Sequence, residues 1–102
     1  MVNERVIVTK QTVNFVIQHI KDRIHGLMSA DDKNKYSFLS IHEAYGKIHE
    51  ELKELEALML ASKVGIDEED PKVIDELVDL AVTTIFSAAS IISHQKKPTD
   101  TQ

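Results

Sequence analysis

The chain has 102 residues, is 42% hydrophobic and 28% charged, and carries a net charge of −5 with a pI near 5.4. That is one soluble-type domain, and its acidity argues against a basic nucleic-acid-binding footprint. The absence of Cys excludes disulfides, Cys-based zinc sites and thiol nucleophiles, while only three Gly and two Pro favour a few long helices over a turn-rich β fold.

Met1 to Arg5 lack the basic-then-apolar order of a signal peptide, and Val6-Ile7-Val8 reads as a short strand or a lead-in. From Thr9 the period is helical: Val13, Val16, Ile17, Ile20, Ile24 and Leu27 recur at three- and four-residue steps. This helix should fray between Gly26 and Ser29, and the polar ADDKNK stretch (30–35) reads as a loop.

A second helix is expected from Ser40, because Ser40-x-x-Glu43 has the form of a capping box; Ser37 is an alternative start. Ile41, Ala44, Tyr45, Ile48, Leu52, Leu55 and Met59 mark its apolar stripe. Gly65 should stop it, with Ile66 making the apolar contact of a Schellman end. Asp67-Glu68-Glu69 reads as a solvated link. Asp70 as N-cap and Pro71 at N1 start a third helix that runs to about His94, and Pro98 begins a tail over 98–102. Short connections imply antiparallel neighbours, so the expected fold is an all-α bundle of three main helices forming a single domain over 1–102.

Spaced at about 100° per residue, the third helix is apolar around most of its circumference. The exception is a strip of Glu76, Asp79, Thr83, Ser87 and Ser90. Two neighbouring helices cannot cover so wide an apolar surface. The expectation is therefore a homo-oligomer, most simply a two-fold dimer, with a dimer of dimers as the larger alternative. The longest uncharged run, Leu80 to Ile92, is thirteen residues with four hydroxyl side chains. That is short of the ~20 needed to span a bilayer, so no membrane partner and a cytoplasmic location are expected.

Carboxylates bordering a core need a counter-ion or a metal. Glu51 and Glu54 lie on one side of the second helix, with Lys47 one turn before Glu51, and Glu76 and Asp79 lie together on the third. If the helices pack antiparallel the two pairs converge. Four carboxylates without imidazole suit a hard cation, Mg²⁺ or Mn²⁺. The E-x-x-E pair alone is common on solvated helix faces. The E-x-x-D pair is harder to treat so, because its helix has so little polar surface. The five histidines form no H-x-x-x-H or E-x-x-H pair, and isolated glycines give no phosphate loop.

Lys47-Ile48-His49-Glu50-Glu51-Leu52-Lys53-Glu54-Leu55, followed by Asp75-Glu76-Leu77-Val78-Asp79-Leu80, resembles the E-x-x-E and E-x-x-D signature of the MazG-type all-α nucleoside triphosphate pyrophosphohydrolases (the MazG-like and dimeric dUTPase-like superfamily). The resemblance covers about 40–95. It implies that Glu51, Glu54, Glu76 and Asp79 bind Mg²⁺ and serve catalysis. It also implies a bundle completed by dimerisation, and cleavage of an NTP or dNTP between its α- and β-phosphates to a monophosphate and pyrophosphate, in nucleotide-pool sanitation or control. Lys47 and Thr83 are candidate substrate contacts. Phosphoribosyl-ATP pyrophosphohydrolase has a similar paired-carboxylate pattern, but this chain carries Arg only at positions 5 and 23. The reading from another class is a helical dimerisation or nucleotide-binding module without catalysis, in which the polar strip is a solvated seam.

Overall fold

The computed structural model describes residues 5–29, 37–66 and 70–96. The expected ADDKNK loop, the acidic link 67–69, the N-terminal 1–4 and the tail from Lys97 lie outside the described residues. Three helices carry the described chain: α1 (Lys10–Met28), α2 (Ile41–Ala61) and α3 (Pro71–Lys96), with no strand among the described residues. The all-α expectation is met. Val6, Ile7 and Val8 form an irregular lead-in whose side chains are exposed.

Each helix starts where side chains satisfy its orphan amides. Thr9 Oγ1 accepts from the Thr12 amide at 3.2 Å. Ser40 Oγ accepts from the Glu43 amide at 3.1 Å. The returning bond of this box goes one residue further out than expected, from the Leu39 amide to Glu43 Oε1 at 3.3 Å. Asp70 Oδ1 accepts from the Lys72 amide at 2.9 Å, and Pro71 opens α3 without an amide to satisfy.

α1 ends within the expected Gly26–Ser29 stretch, at Met28 with Ser29 as its C-cap. The end of α2 differs from expectation. α2 stops at Ala61, four residues before Gly65. Ser62 turns into extended backbone (φ −69°, ψ 134°), no described glycine takes positive φ, and Ile66 is 82% exposed, so there is no Schellman end.

α2 and α3 make the main contact, and α1 lies against α3 more lightly. Ala44, Ile48, Glu51, Leu55 and Leu58 are the buried or half-buried positions of α2. Their steps of four, three, four and three residues make one seam along a helix. On α3 the buried residues are Val78, Val82, Thr83, Ser87 and Ser90, with Glu76, Asp79 and Phe86 half-buried among them. The strip of small polar residues is therefore an interior seam rather than a solvated one. Two of its hydroxyls bond backbone groups: Ser87 Oγ donates to the Thr83 carbonyl at 2.7 Å, and Ser90 Oγ accepts from the Phe38 amide at 3.1 Å. His94 Nε2 meets the Phe38 carbonyl at 3.1 Å and ties the segment before α2 to the last turns of α3.

The apolar faces lie outside. Ile74, Leu77, Ile85, Ile91 and Ile92 of α3 are 40–59% exposed, as are Ile41, Tyr45, Leu52 and Met59 of α2 at 48–67%. No residue of α1 is buried; only Ile20, Arg23, Ile24 and Leu27, toward its C-terminal end, are half-covered. The buried apolar core among the described residues is Ala44, Leu55, Val78 and Val82. By length and composition alone α3 is apolar enough to cross a membrane, with a mean hydropathy of 1.5 over its most apolar stretch.

Candidate metal centre

The α2–α3 seam places Glu51 at a core position. The sequence stripe put it at the edge of the apolar face; the packing instead turns Ala44, Ile48, Glu51 and Leu55 toward α3, so Glu51 is 8% exposed. One carboxylate oxygen each from Glu51, Glu76 and Asp79 lie within 4.8 Å of one another. Three of the four expected carboxylates are thus brought together. Glu54, the fourth, is exposed at the rim and shares a hydrogen bond with Glu76.

Burial and charge both act on this group. Burial is the largest cause that pushes the Glu76 carboxyl above its ordinary pKa, followed by the charges of Glu54, Asp79 and Glu51 and the hydrogen bond with Glu54. Glu76 Oε2 and Glu51 Oε2 are buried without a hydrogen-bond partner. A buried acceptor left unsatisfied costs about 1–3 kcal/mol, more when it is charged. Two orphan oxygens in a three-carboxylate cluster are what a cation would satisfy. Oxygen-only donors match a hard divalent ion such as Mg²⁺ or Mn²⁺.

Two cations form ion pairs with carboxylates of the cluster. Lys47 Nζ lies 3.4 Å from Glu51 Oε1 and 3.4 Å from Glu50 Oε1. Desolvation opposes the Lys47 charge, but the hydrogen bond to Glu51 and the charges of Glu50 and Glu51 outweigh it and raise its pKa. Arg23, reaching across from α1, pairs through its guanidinium with Asp79 Oδ1. The sequence noted Arg23 only as one of two arginines. Its position one turn before Leu27 on the α1 stripe was the available signal, but its partner is 56 residues away.

The carboxylates separate two clefts. One, of about 460 Å³, is lined by Arg23, Lys47, Glu51, Asp79 and Thr83 on its polar side and by Leu27, Phe38, Val82 and Phe86 on its apolar side. The other, of about 440 Å³, is lined by Glu54, Ala57, Leu58, Lys72, Asp75 and Glu76. Both expected substrate contacts, Lys47 and Thr83, thus line the cleft that holds Glu51 and Asp79. His49 stacks on Tyr45 with ring centroids 6.1 Å apart and lines neither cleft. No family model matches the chain, and no curated protein or solved structure is similar enough to match it.

Proposed function

We propose that the chain is a Mg²⁺-dependent nucleotide pyrophosphohydrolase, cleaving a nucleoside or deoxynucleoside triphosphate to monophosphate and pyrophosphate. The observation that carries the reading is the convergence of Glu51, Glu76 and Asp79 around two buried, unsatisfied carboxylate oxygens. The MazG-type resemblance of the same residues supports it.

In this reading Glu51, Glu76 and Asp79, with Glu54 at the rim, hold the metal, which when bound supplies Lewis-acid neutralisation of phosphate charge and acidifies a water. The remaining work falls to the chain's own groups. Lys47 and Arg23 on the cleft wall offer cationic donors to phosphate oxygens. Phe38, Val82 and Phe86 form an apolar wall against which a base is shielded from water. Glu51 Oε2 and Glu76 Oε2, which no protein donor satisfies, are the acceptors available to the metal or to an attacking water.

The reading includes an antiparallel α2–α3 pair. Contacts between Phe38 and Ser90 at one end, and between Glu54 and Glu76 further along, support it. It also includes a homodimer or dimer of dimers that covers the exposed Ile74, Leu77, Ile85, Ile91 and Ile92.

The test is pyrophosphate release from a panel of NTPs and dNTPs, with Mg²⁺ and with EDTA, in the wild type and in Glu51→Gln and Glu76→Gln. Metal-dependent release lost in both variants is the expected result. No release from any nucleotide, together with no Mg²⁺ effect on melting temperature, overturns the reading and leaves a helical interaction module.

A further inference from the structure

We propose that Arg23 is a placeholder at the cation site: it neutralises Asp79 while the site lacks metal, and passes to a polyphosphate oxygen when a divalent cation takes Asp79. This rests on the metal-centre reading above and adds to it a coupling between the cation site and the phosphate contact of Arg23.

Glu51, Glu54, Glu76 and Asp79 bring four carboxylates together, and the cations ion-paired with them are Lys47, on Glu51, and Arg23, on Asp79. Glu51 is more than nine-tenths buried and its Oε2 has no partner, so the cluster is short of positive charge even with Arg23 in place. A cation reaching Asp79 must compete with the guanidinium already paired there. Once displaced, that guanidinium stays on the wall of the cleft it shares with Lys47, Thr83 and Phe86. There, a forked donor meets phosphate oxygens two at a time.

The helix that carries Arg23 permits the motion. α1 has no buried residue, and Arg23 and Asp79 are each about one-third exposed, so the guanidinium can swing without opening a packed core. A pair so exposed is worth at most about 1 kcal/mol. Its competition with the cation is therefore about fivefold in affinity, an amount that a bound polyphosphate readily offsets.

The test is calorimetric titration of Mg²⁺ alone, then of inorganic triphosphate in saturating Mg²⁺, into wild type, Arg23→Gln and Arg23→Lys. Circular dichroism checks that helix content is kept. The expected result is that Arg23→Gln binds Mg²⁺ alone a few-fold more tightly than wild type and binds Mg²⁺-triphosphate about tenfold more weakly. Arg23→Lys, which keeps the charge but not the fork, should fall between them on both axes. Tight Mg²⁺ binding by wild type with no gain in Arg23→Gln overturns the placeholder and leaves the carboxylate site standing. A gain for Mg²⁺ with unchanged triphosphate affinity overturns the transfer to phosphate. No Mg²⁺ binding by any of the three proteins overturns the cation site itself, and the placeholder with it.

Discussion

Glu76 is the group through which the metal-free protein should feel pH. It faces Glu51 and Glu54 of α2 and Asp79 of its own helix; Lys47 and Arg23 are paired with Glu51 and Asp79, and Lys72 and Asp75 line the cleft that Glu76 shares with Glu54. Its folded-state pKa is raised above the ordinary 4.5 by burial first and by those carboxylates second. A raised acid pKa means that the folded chain holds the proton more tightly than the unfolded chain does. The resulting stabilisation is fully present below pH 4.5 and is lost as pH rises through the raised value. At neutral pH and without metal, Glu76 is therefore a destabilising charge.

Two unit charges 4.8 Å apart repel by about 3–4 kcal/mol at an effective dielectric near 20. Arg23 on Asp79 and Lys47 on Glu51 cancel most of that, and Glu76 is partly open to solvent, which leaves about 1 kcal/mol. Glu76→Gln keeps the shape and can donate its amide to Glu54. In EDTA at pH 7.5 it should melt higher than wild type by about 4–8 °C, the equivalent of ~1 kcal/mol in a domain of this size. Followed by circular dichroism, the gap between the two proteins should close as pH is lowered toward 4.5, while ionisations common to both cancel in the difference. A Gln variant no more stable than wild type at pH 7.5, or a gap that stays constant across this range, would refute the argument from clustered charge.

Other expectations follow from the same geometry. Mg²⁺ at a hundred times its Kd should stabilise the wild type by about 2.7 kcal/mol, and Glu51→Gln should lose most of that gain; differential scanning fluorimetry with and without EDTA reads both. Ile85→Glu and Leu77→Glu place charge on the exposed apolar face of α3. They should yield monomers by light scattering, while changing the stability of the single chain by less than about 0.5 kcal/mol. Ser90→Ala removes the acceptor of the Phe38 amide and should cost about 1 kcal/mol in urea unfolding.

The helix starts were legible because their signals are local. Thr9, Ser40 and Asp70 each lie within three residues of the amide they satisfy, a distance over which side-chain chemistry alone decides. The end of α2 was not legible in this way. Gly65 offers a left-handed conformation that the backbone does not use, because Ser62 has already turned into extended backbone. The carboxylates were legible as pairs, since three residues of helix place Glu76 and Asp79 on one side whatever the fold. Arg23 was not, because nothing within one turn of it carries the charge that it answers.

The hardest feature to read from the sequence was which side of α3 faces inward. Spacing told which residues share a face, and hydrophobicity then argued for burying Leu77, Ile85, Ile91 and Ile92. Within one chain the choice went the other way, to Thr83, Ser87 and Ser90. Small side chains let the helices approach closely, and the Ser87 and Ser90 hydroxyls pair with backbone groups, so burying them leaves little unsatisfied. Burying Glu51 and Glu76 does leave something unsatisfied. An apolar side chain would fit position 51 of the seam between Ile48 and Leu55, where Lys47 pairs with one carboxylate oxygen of Glu51 and the other has no partner. In the proposed function the charge at position 51 serves to hold a cation. Glu51→Leu should therefore stabilise the metal-free protein while removing its response to Mg²⁺. A Glu51→Leu protein that unfolds more easily than wild type in EDTA would mean that Glu51 is a structural partner of Lys47 and not a ligand.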